Sequence, residues 1–252
     1  MSPIHPRHRP LHDERGFTLV EILIALLIGL FLAGALITIV QTNRTVFGNQ
    51  NKLAQLQDGE RMALTMMTDV IQSAGYFPNP TQNTLDTSLP IVAPFVATGQ
   101  SVYGIYSATP PGDQISIRYM TAGGDGILNC SGQSNPTGGP NTLYVNTFQV
   151  VIVNGIGQLI CTMNGTQYNL VNGVTNLSVL YGVKANAGAT GNNVDTYMNG
   201  AQVTAANLWG SVISALLQLT FTNPLYIANT AQPQTVSIQR VVGLMSQTGP
   251  VL

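Results

Sequence analysis

One carboxylate stands where a carboxylate is costly. From Phe17 to Val40 the chain runs 24 residues with a single charge, Glu21. Placing that charge in lipid costs about 2–3 kcal/mol even on lenient insertion scales, so such a residue needs a partner. A partner is created if the chain is cut between Gly16 and Phe17. The new α-ammonium of Phe17 then lies four residues before Glu21, and positions i and i+4 share a helix face. The two charges can pair within one chain, or Glu21 can reach the amine of a neighbouring subunit.

Elsewhere the chemistry-bearing residues are sparse. All three histidines, His5, His8 and His12, precede Gly16. A chain cut at Gly16 therefore has no histidine general base, no histidine triad and no histidine-ligated metal. Asp86, Asp113, Asp125 and Asp195 are scattered, and nothing pairs them for acid–base work. Gly123-Gly124-Asp125-Gly126 lacks the lysine of a phosphate loop and the carboxylates of a calcium loop, and reads as a turn. Gly155-Ile156-Gly157 lacks the rest of a dinucleotide fingerprint. Trp209, the lone tryptophan, reads as a core or sheet-edge aromatic rather than a ligand platform. No catalytic residue, metal or cofactor is expected.

Cys130 and Cys161 both lie in the part expected to be exported, and two cysteines in an oxidising compartment read as one disulfide. Closing that loop of about 30 residues would contribute about 3–4 kcal/mol on a loop-entropy account. A zinc site or thiol nucleophile is the other reading, with too few ligands and no base.

These residues need elements to hold them. As a helix, Phe17–Val40 is about 36 Å long, enough to cross a hydrocarbon core of about 30 Å with some tilt. Arg7, Arg9 and Arg15 flank its N-terminal side, and only Arg44 and Lys52 follow soon after. That bias favours an N-terminus in the cytoplasm and an exported remainder. A secretory signal peptide cut near Ala33-Gly34-Ala35 and an uncut signal anchor are alternatives; Glu21 and the length of the apolar run speak against the first.

Residues 1–16, broken by Pro3, Pro6 and Pro10, form a leader outside the fold. After Val40 the apolar residues become periodic: Val46, Leu53, Leu56, Ala63, Met67, Val70, Ile71 and Ala74 fit one helix face. Gln50, Lys52, Asp58, Arg61 and Asp69 take the other. One helix is predicted from Phe17 to Ala74, ended by Gly75 and Pro78. Its portion to residue 40 is all-round apolar, and residues 41–75 are its amphipathic continuation. Gly29 and Gly34 would allow close helix packing, and Gly48 a bend.

Residues 76–113, rich in Pro, Thr, Asn and Ser, read as a long connection that wraps the helix, with a short strand near Val102–Tyr106. Beyond Gly112 strands are predicted at Gln114–Met120, Leu143–Val153, Leu159–Met163, Gln167–Val171, Val174–Tyr181, Val212–Asn223 and Thr235–Gly243. Turns fall at Gly123–Gly126, Gly138-Gly139-Pro140 and Asn192-Asn193. The exported part, residues 76–252, is then a mainly antiparallel sheet that the amphipathic helix half covers, an α+β architecture. Charged residues are only 8% of the 252. Removing residues 1–16 leaves six basic and eight acidic residues. No basic patch marks a nucleic-acid binder.

Gly16-Phe17-Thr18-Leu19-Val20-Glu21, followed by about twenty apolar residues, resembles the N-terminal signal of type IV prepilins and type II secretion pseudopilins. Further on, several segments resemble the PilW family of minor pilins. They are Asp125-Gly126 before Asn129-Cys130-Ser131-Gly132, Leu159-Ile160-Cys161, Gly173-Val174-Thr175-Asn176-Leu177 with Leu180-Tyr181-Gly182, Val194-Asp195-Thr196-Tyr197, and Trp209 before a strand. An aspartate is commoner before the first cysteine; this chain has Asn129. The resemblance implies a type IV pilin-like fold and cleavage by a prepilin peptidase after Gly16, with N-methylation of Phe17. It implies assembly with major and minor pilins on an inner-membrane platform, with a tip adhesin as a further partner. It also implies residence in the inner membrane and then in a pilus. A minor pseudopilin of a type II secretion system and a tip-displayed adhesin are the alternatives.

Overall fold

The structure, a computed structural model, describes residues 16–186 and 193–245. The leader over 1–15, with its three histidines, and Asn192 of the expected Asn192-Asn193 turn lie outside the described residues. The chain divides into two compact units, one up to Asn51 and one from Lys52 onward.

Helix α1 spans Leu19–Gln72, 54 residues without interruption at Gly48. In the first unit none of its residues is buried. In the second unit Leu56 is half-buried, and Ala63, Leu64, Met67, Val70 and Ile71 are buried, with Ala74 just beyond the helix. That spacing is one face of a 3.6-residue helix, and each large aliphatic side chain removed from water contributes about 1.5–3 kcal/mol. Val46 and Leu53, which the periodicity assigns to the same face, are exposed. Periodicity identifies a stripe but not how far the covering sheet extends along it. The helix ends where Gly75 takes φ 75°, a conformation that costs glycine little. Its N–H donates to the Arg118 carbonyl at 3.0 Å, so the stop is also a tie to the sheet.

The strands divide between two antiparallel sheets. The first is a meander of β1 (Val102–Ile105), β2 (Gln114–Thr121), β3 (Thr142–Val153), β4 (Ile156–Met163) and β5 (Thr166–Asn172), paired in chain order. The second contains β6 (Val174–Val183), β7 (Thr196–Met198), β8 (Val212–Thr222) and β9 (Thr235–Gly243), in the order β7-β6-β8-β9. Asn154–Gly155 and Asn164–Gly165 have positive φ at both residues and close two-residue hairpins, the turn whose twist matches paired strands.

Two seams join the sheets. Gly173 links β5 directly to β6; it donates to the Gly157 carbonyl at 2.7 Å and accepts from Thr222 at 2.9 Å. The β1–β2 connection lies against β6: Asp113 donates to the Leu177 carbonyl at 2.7 Å and Leu177 donates to that of Pro111 at 3.1 Å. A Cβ on Gly112 would fall 2.1 Å from the Leu177 carbonyl oxygen, so no larger residue fits. One core then unites Met67 and Ile71 of the helix, Ile117, Phe148 and Leu159 of the first sheet, and Leu177, Leu217 and Leu219 of the second.

The expected single sheet is thus two. Strand β7 and the short helices α2 (Leu85–Ser88) and α3 (Gly200–Ala206) are additional elements. Both short helices open with a capping box, Thr84 with Thr87 and Asn199 with Gln202. These reciprocal bonds satisfy N–H groups that a short helix leaves open.

Candidate functional site

The N-terminal segment is built from a cap. The Thr18 hydroxyl oxygen accepts the Glu21 N–H at 3.3 Å, and the Ile22 N–H donates to the Thr18 carbonyl at 3.2 Å. Thr18 is therefore the N-cap, and Glu21 sits at the third helical position. A carboxylate there gains about 0.3–1 kcal/mol from the helix dipole. The signal was present as Thr-x-x-Glu, the capping-box spacing. Reading Glu21 only as a charge in search of a partner overlooks it.

Phe17 lies just outside the helix and is 78% exposed. With its peptide bond to Gly16 intact it carries no charge. Phe17 and Glu21 nonetheless border one open groove of about 670 Å³, followed at four-residue steps by Ala25, Gly29 and Ala33. Phe17, the acid and a line of small residues therefore share one side. A Cβ at Gly29, Gly34 or Gly48 would meet nothing within 4 Å. Nothing in the described chain requires glycine there, and small residues on an apolar helix are what lets a neighbouring backbone approach. Among the described residues α1 is the one helix long and apolar enough to cross a membrane, by length and composition.

In the second unit Cys130 and Cys161 are joined by a disulfide, and both are buried in the core. The bridge fastens the 122–141 loop to β4. Asn129 shapes that loop without a charge. Its side-chain carbonyl accepts from Ser131 N–H at 2.9 Å, Ser131 Oγ at 2.7 Å and Gln133 N–H at 3.1 Å. All three donors converge on one oxygen, so an amide carbonyl can stand at this position in place of a carboxylate oxygen. Buried Asn135 ties the loop's far side to the carbonyls of Thr121 and Pro140.

Three further carboxylates, Asp125, Asp113 and Asp195, hold backbone. Asp125 accepts from Ala122 and Ile127 N–H at 2.8 and 3.1 Å, closing its own turn. Buried Asp113 accepts from Ser107 and Val179 N–H, both at 2.8 Å, reinforcing the seam between the sheets. Asp195 accepts from Asn186 N–H at 2.9 Å. No two of them converge. Among the described residues no group of three or more His, Cys, Asp or Glu could hold a metal ion. Glu60, on α1, has one carboxylate oxygen out of water without a hydrogen-bond partner. Burial pushes its acid above the usual carboxylate range.

Trp209 is a core aromatic. Its indole N–H donates to Thr204 Oγ1 at 3.1 Å, and its ring lies 5.2 Å from that of Tyr103 and 4.9 Å, edge-on, from that of Tyr181. Tyr181 is buried with its hydroxyl unpaired. Burial raises its phenol well above the ordinary value, reinforced by Asp113 and then Tyr103.

The residue that sequence reasoning missed is Arg118. It sits in β2 at 0% exposure. Its guanidinium donates to the carbonyls of Pro90, Ala97 and Gln100 and lies 4.4 Å from the centre of the Phe95 ring. It organises the 90–100 connection against the outer face of the first sheet. Desolvation lowers its pKa to about 10.

Residues 11–37 match the family model described as the prokaryotic N-terminal methylation motif. Residues 134–248 match the model of the Type IV Pilus-assembly protein W. No curated protein matches the sequence. Among solved structures, a type IV-like pilin from Thermus thermophilus is similar at 10% identity and a TM-score of 0.40, over 77% of this chain and 98% of that one. With the methylation motif matched at its head and the pilus-assembly domain matched across β3–β9, the chain is similar to type IV pilin-like proteins of the PilW family over those two segments.

Proposed function

We propose that the protein is a structural minor pilin that takes part in initiating or assembling a type IV pilus, and that it is not an enzyme. A prepilin peptidase removes residues 1–16 and N-methylates Phe17. Residues 17–40 hold the precursor in the inner membrane, N-terminus in the cytoplasm and the β-rich domain in the periplasm. On assembly the helix exchanges lipid for the helices of other pilins. Glu21 then neutralises the Phe17 amine of an adjacent subunit and sets register where an unpaired charge is costly. Its partners are the peptidase, other major and minor pilins, the inner-membrane assembly platform and an adhesin at the tip.

The observation that carries this reading is the front of α1. It is an exposed apolar helix with one carboxylate, on the same side as Phe17 and the small residues Ala25, Gly29 and Ala33. The experiment is mass spectrometry of the membrane and filament fractions, with Glu21→Ala alongside. The expected product begins at N-methylated Phe17, and Glu21→Ala is processed but enters filaments at least about tenfold less, the equivalent of about 1.4 kcal/mol. A product retaining residues 1–16, or normal piliation by the variant, removes the reading.

A further inference from the structure

The sequence contains four Asn-Gly pairs: Asn154-Gly155, Asn164-Gly165, Asn172-Gly173 and Asn199-Gly200. In such a pair the main-chain nitrogen of the glycine can attack Cγ of the asparagine side chain. The chain already holds the reacting groups together, and the glycine has no Cβ to stand in the way. The side-chain amide must still turn toward that nitrogen, and the nitrogen must not be occupied. Every hydrogen bond that restrains either group has to break first, so the fold decides which pair reacts.

Three of the pairs are restrained. Asn199 caps α3: its Oδ1 accepts from Gln202 N–H at 2.9 Å. Asn172 Oδ1 accepts from Asn169 Nδ2 at 2.9 Å, and the Gly173 nitrogen is itself engaged, donating to the Gly157 carbonyl at 2.7 Å. Asn164 is held at both ends of its amide. Oδ1 accepts from Val145 N–H at 3.0 Å, and Nδ2 donates to the Leu143 carbonyl at 3.3 Å. Among the described residues the Asn154 amide has no hydrogen-bond partner. Asn154 and Asn164 are otherwise matched. Each opens a two-residue hairpin turn, with φ 52° and 78° at Asn154-Gly155 and 47° and 90° at Asn164-Gly165. Backbone conformation is therefore common to the two, and the restraint on the amide is what differs.

We propose that Asn154 is a site of spontaneous modification, converting with time to aspartate and isoaspartate while Asn164, in the same kind of turn, persists. The Gly155 nitrogen loses its proton to base and bonds to Cγ. The Cγ–Nδ2 bond breaks, and the departing nitrogen takes up a proton and leaves as ammonia. Water then opens the cyclic imide. Cleavage at Cγ gives aspartate. Cleavage at the main-chain carbonyl gives isoaspartate, which routes the backbone through Cγ and lengthens the turn between β3 and β4 by one carbon. Either product is a carboxylate in a stretch, Thr142 to Val183, that has no charged residue. The turn thus marks an old chain off from a new one by charge, without an enzyme or a partner.

The test is a time course on the full chain, folded in detergent at mildly alkaline pH. Mass spectrometry follows the exchange of an amide NH2 for OH, and fragmentation assigns it to a position. Conversion at Asn154 should run at least about tenfold faster than at Asn164, the ratio expected when hydrogen bonds of ordinary strength must break at one site only. Asn172 and Asn199 should lag as well. The same chain in denaturant supplies the control. There the restraints are gone, and the four pairs should react within about threefold of one another. Equal rates at Asn154 and Asn164 in the folded chain overturn the proposal. So does an Asn154 that stays intact while the denatured chain reacts, or a preference for Asn154 that survives undiminished in denaturant. The readout needs neither removal of residues 1–16 nor a filament, so its failure leaves the assembly reading where it stood.

Discussion

Helix α1 contains two opposite solutions to one problem. Up to Val40 it is apolar, and up to Asn51 none of its residues is buried; from Ala63 to Ile71 its apolar residues lie in a shared core. Glycines register the difference. A Cβ at Gly29 would meet nothing, whereas one at Gly59 would press on Val171 at 3.2 Å. In the rear half, residue choice answers to neighbours inside the chain. In the front half no neighbour among the described residues constrains it. The physical lesson is that an element's own packing can be tested for sufficiency, and the front of this helix fails that test.

The comparison is open to direct attack through thermal stability, which should respond to the rear unit and ignore the front. The largest effect is expected from Arg118→Ala. It strips donors from three carbonyls and uncovers Phe95, costing about 3–4 kcal/mol, or roughly 10 °C in Tm by calorimetry. A shift under about 2 °C would mean the 90–100 connection is held by something else. Cys130→Ser comes next, at about 3 kcal/mol, with Cys161 becoming open to alkylation in the unfolded protein.

Alkaline titration follows. Burial holds the phenols of Tyr119 and Tyr181 above their ordinary value. Above about pH 10 the unfolded chain releases protons that the folded chain retains, so stability present below that pH is lost as pH rises through the folded values. Arg118 acts oppositely, since its folded form gives up a proton first, near pH 10. Burial raises the Tyr76 phenol as well, so the phenols outnumber the one guanidinium and stability falls as pH rises, readable as Tm between pH 9 and pH 11. Tyr181→Phe should flatten that slope. At pH 7 it should change stability by less than about 1 kcal/mol, because the hydroxyl it deletes has no partner.

The smallest thermal effect belongs to Gly29→Leu. Its site is open, so Tm should move by less than about 1 °C while incorporation into filaments falls. A large loss of Tm would place Gly29 inside the chain's own packing and erase the contrast between the two halves.

Much of this was readable in the residues before any coordinates. Eight of the nine described strands overlap segments read from alternation and turn residues, as Leu177-Ser178-Val179-Leu180-Tyr181 illustrates. The helix follows from its period and from the wait until Pro78 for a breaker. The division into two sheets was not readable, because the seams use backbone groups at Pro111, Asp113 and Leu177, which leave no pattern in side-chain type. Arg118 was not readable for a related reason. In Ile115-Ser116-Ile117-Arg118-Tyr119 alternation puts it on the solvent side, but that side is covered by a connection whose carbonyls carry no signature of their own. The short helices were a different failure: Thr84-x-x-Thr87 and Asn199-x-x-Gln202 are caps in plain sight, passed over because the helices they open are so brief.

Thr18 has a consequence for how the chain can be cut. A protease threads its substrate as an uncoiled strand, and a bond wound into a helix must first be unwound. By starting the helix at Leu19, the threonine hydroxyl leaves the Gly16–Phe17 bond on a short free lead ahead of the first coil. The side chain that begins the rod is thus also what keeps its end from swallowing the place where a blade would have to enter.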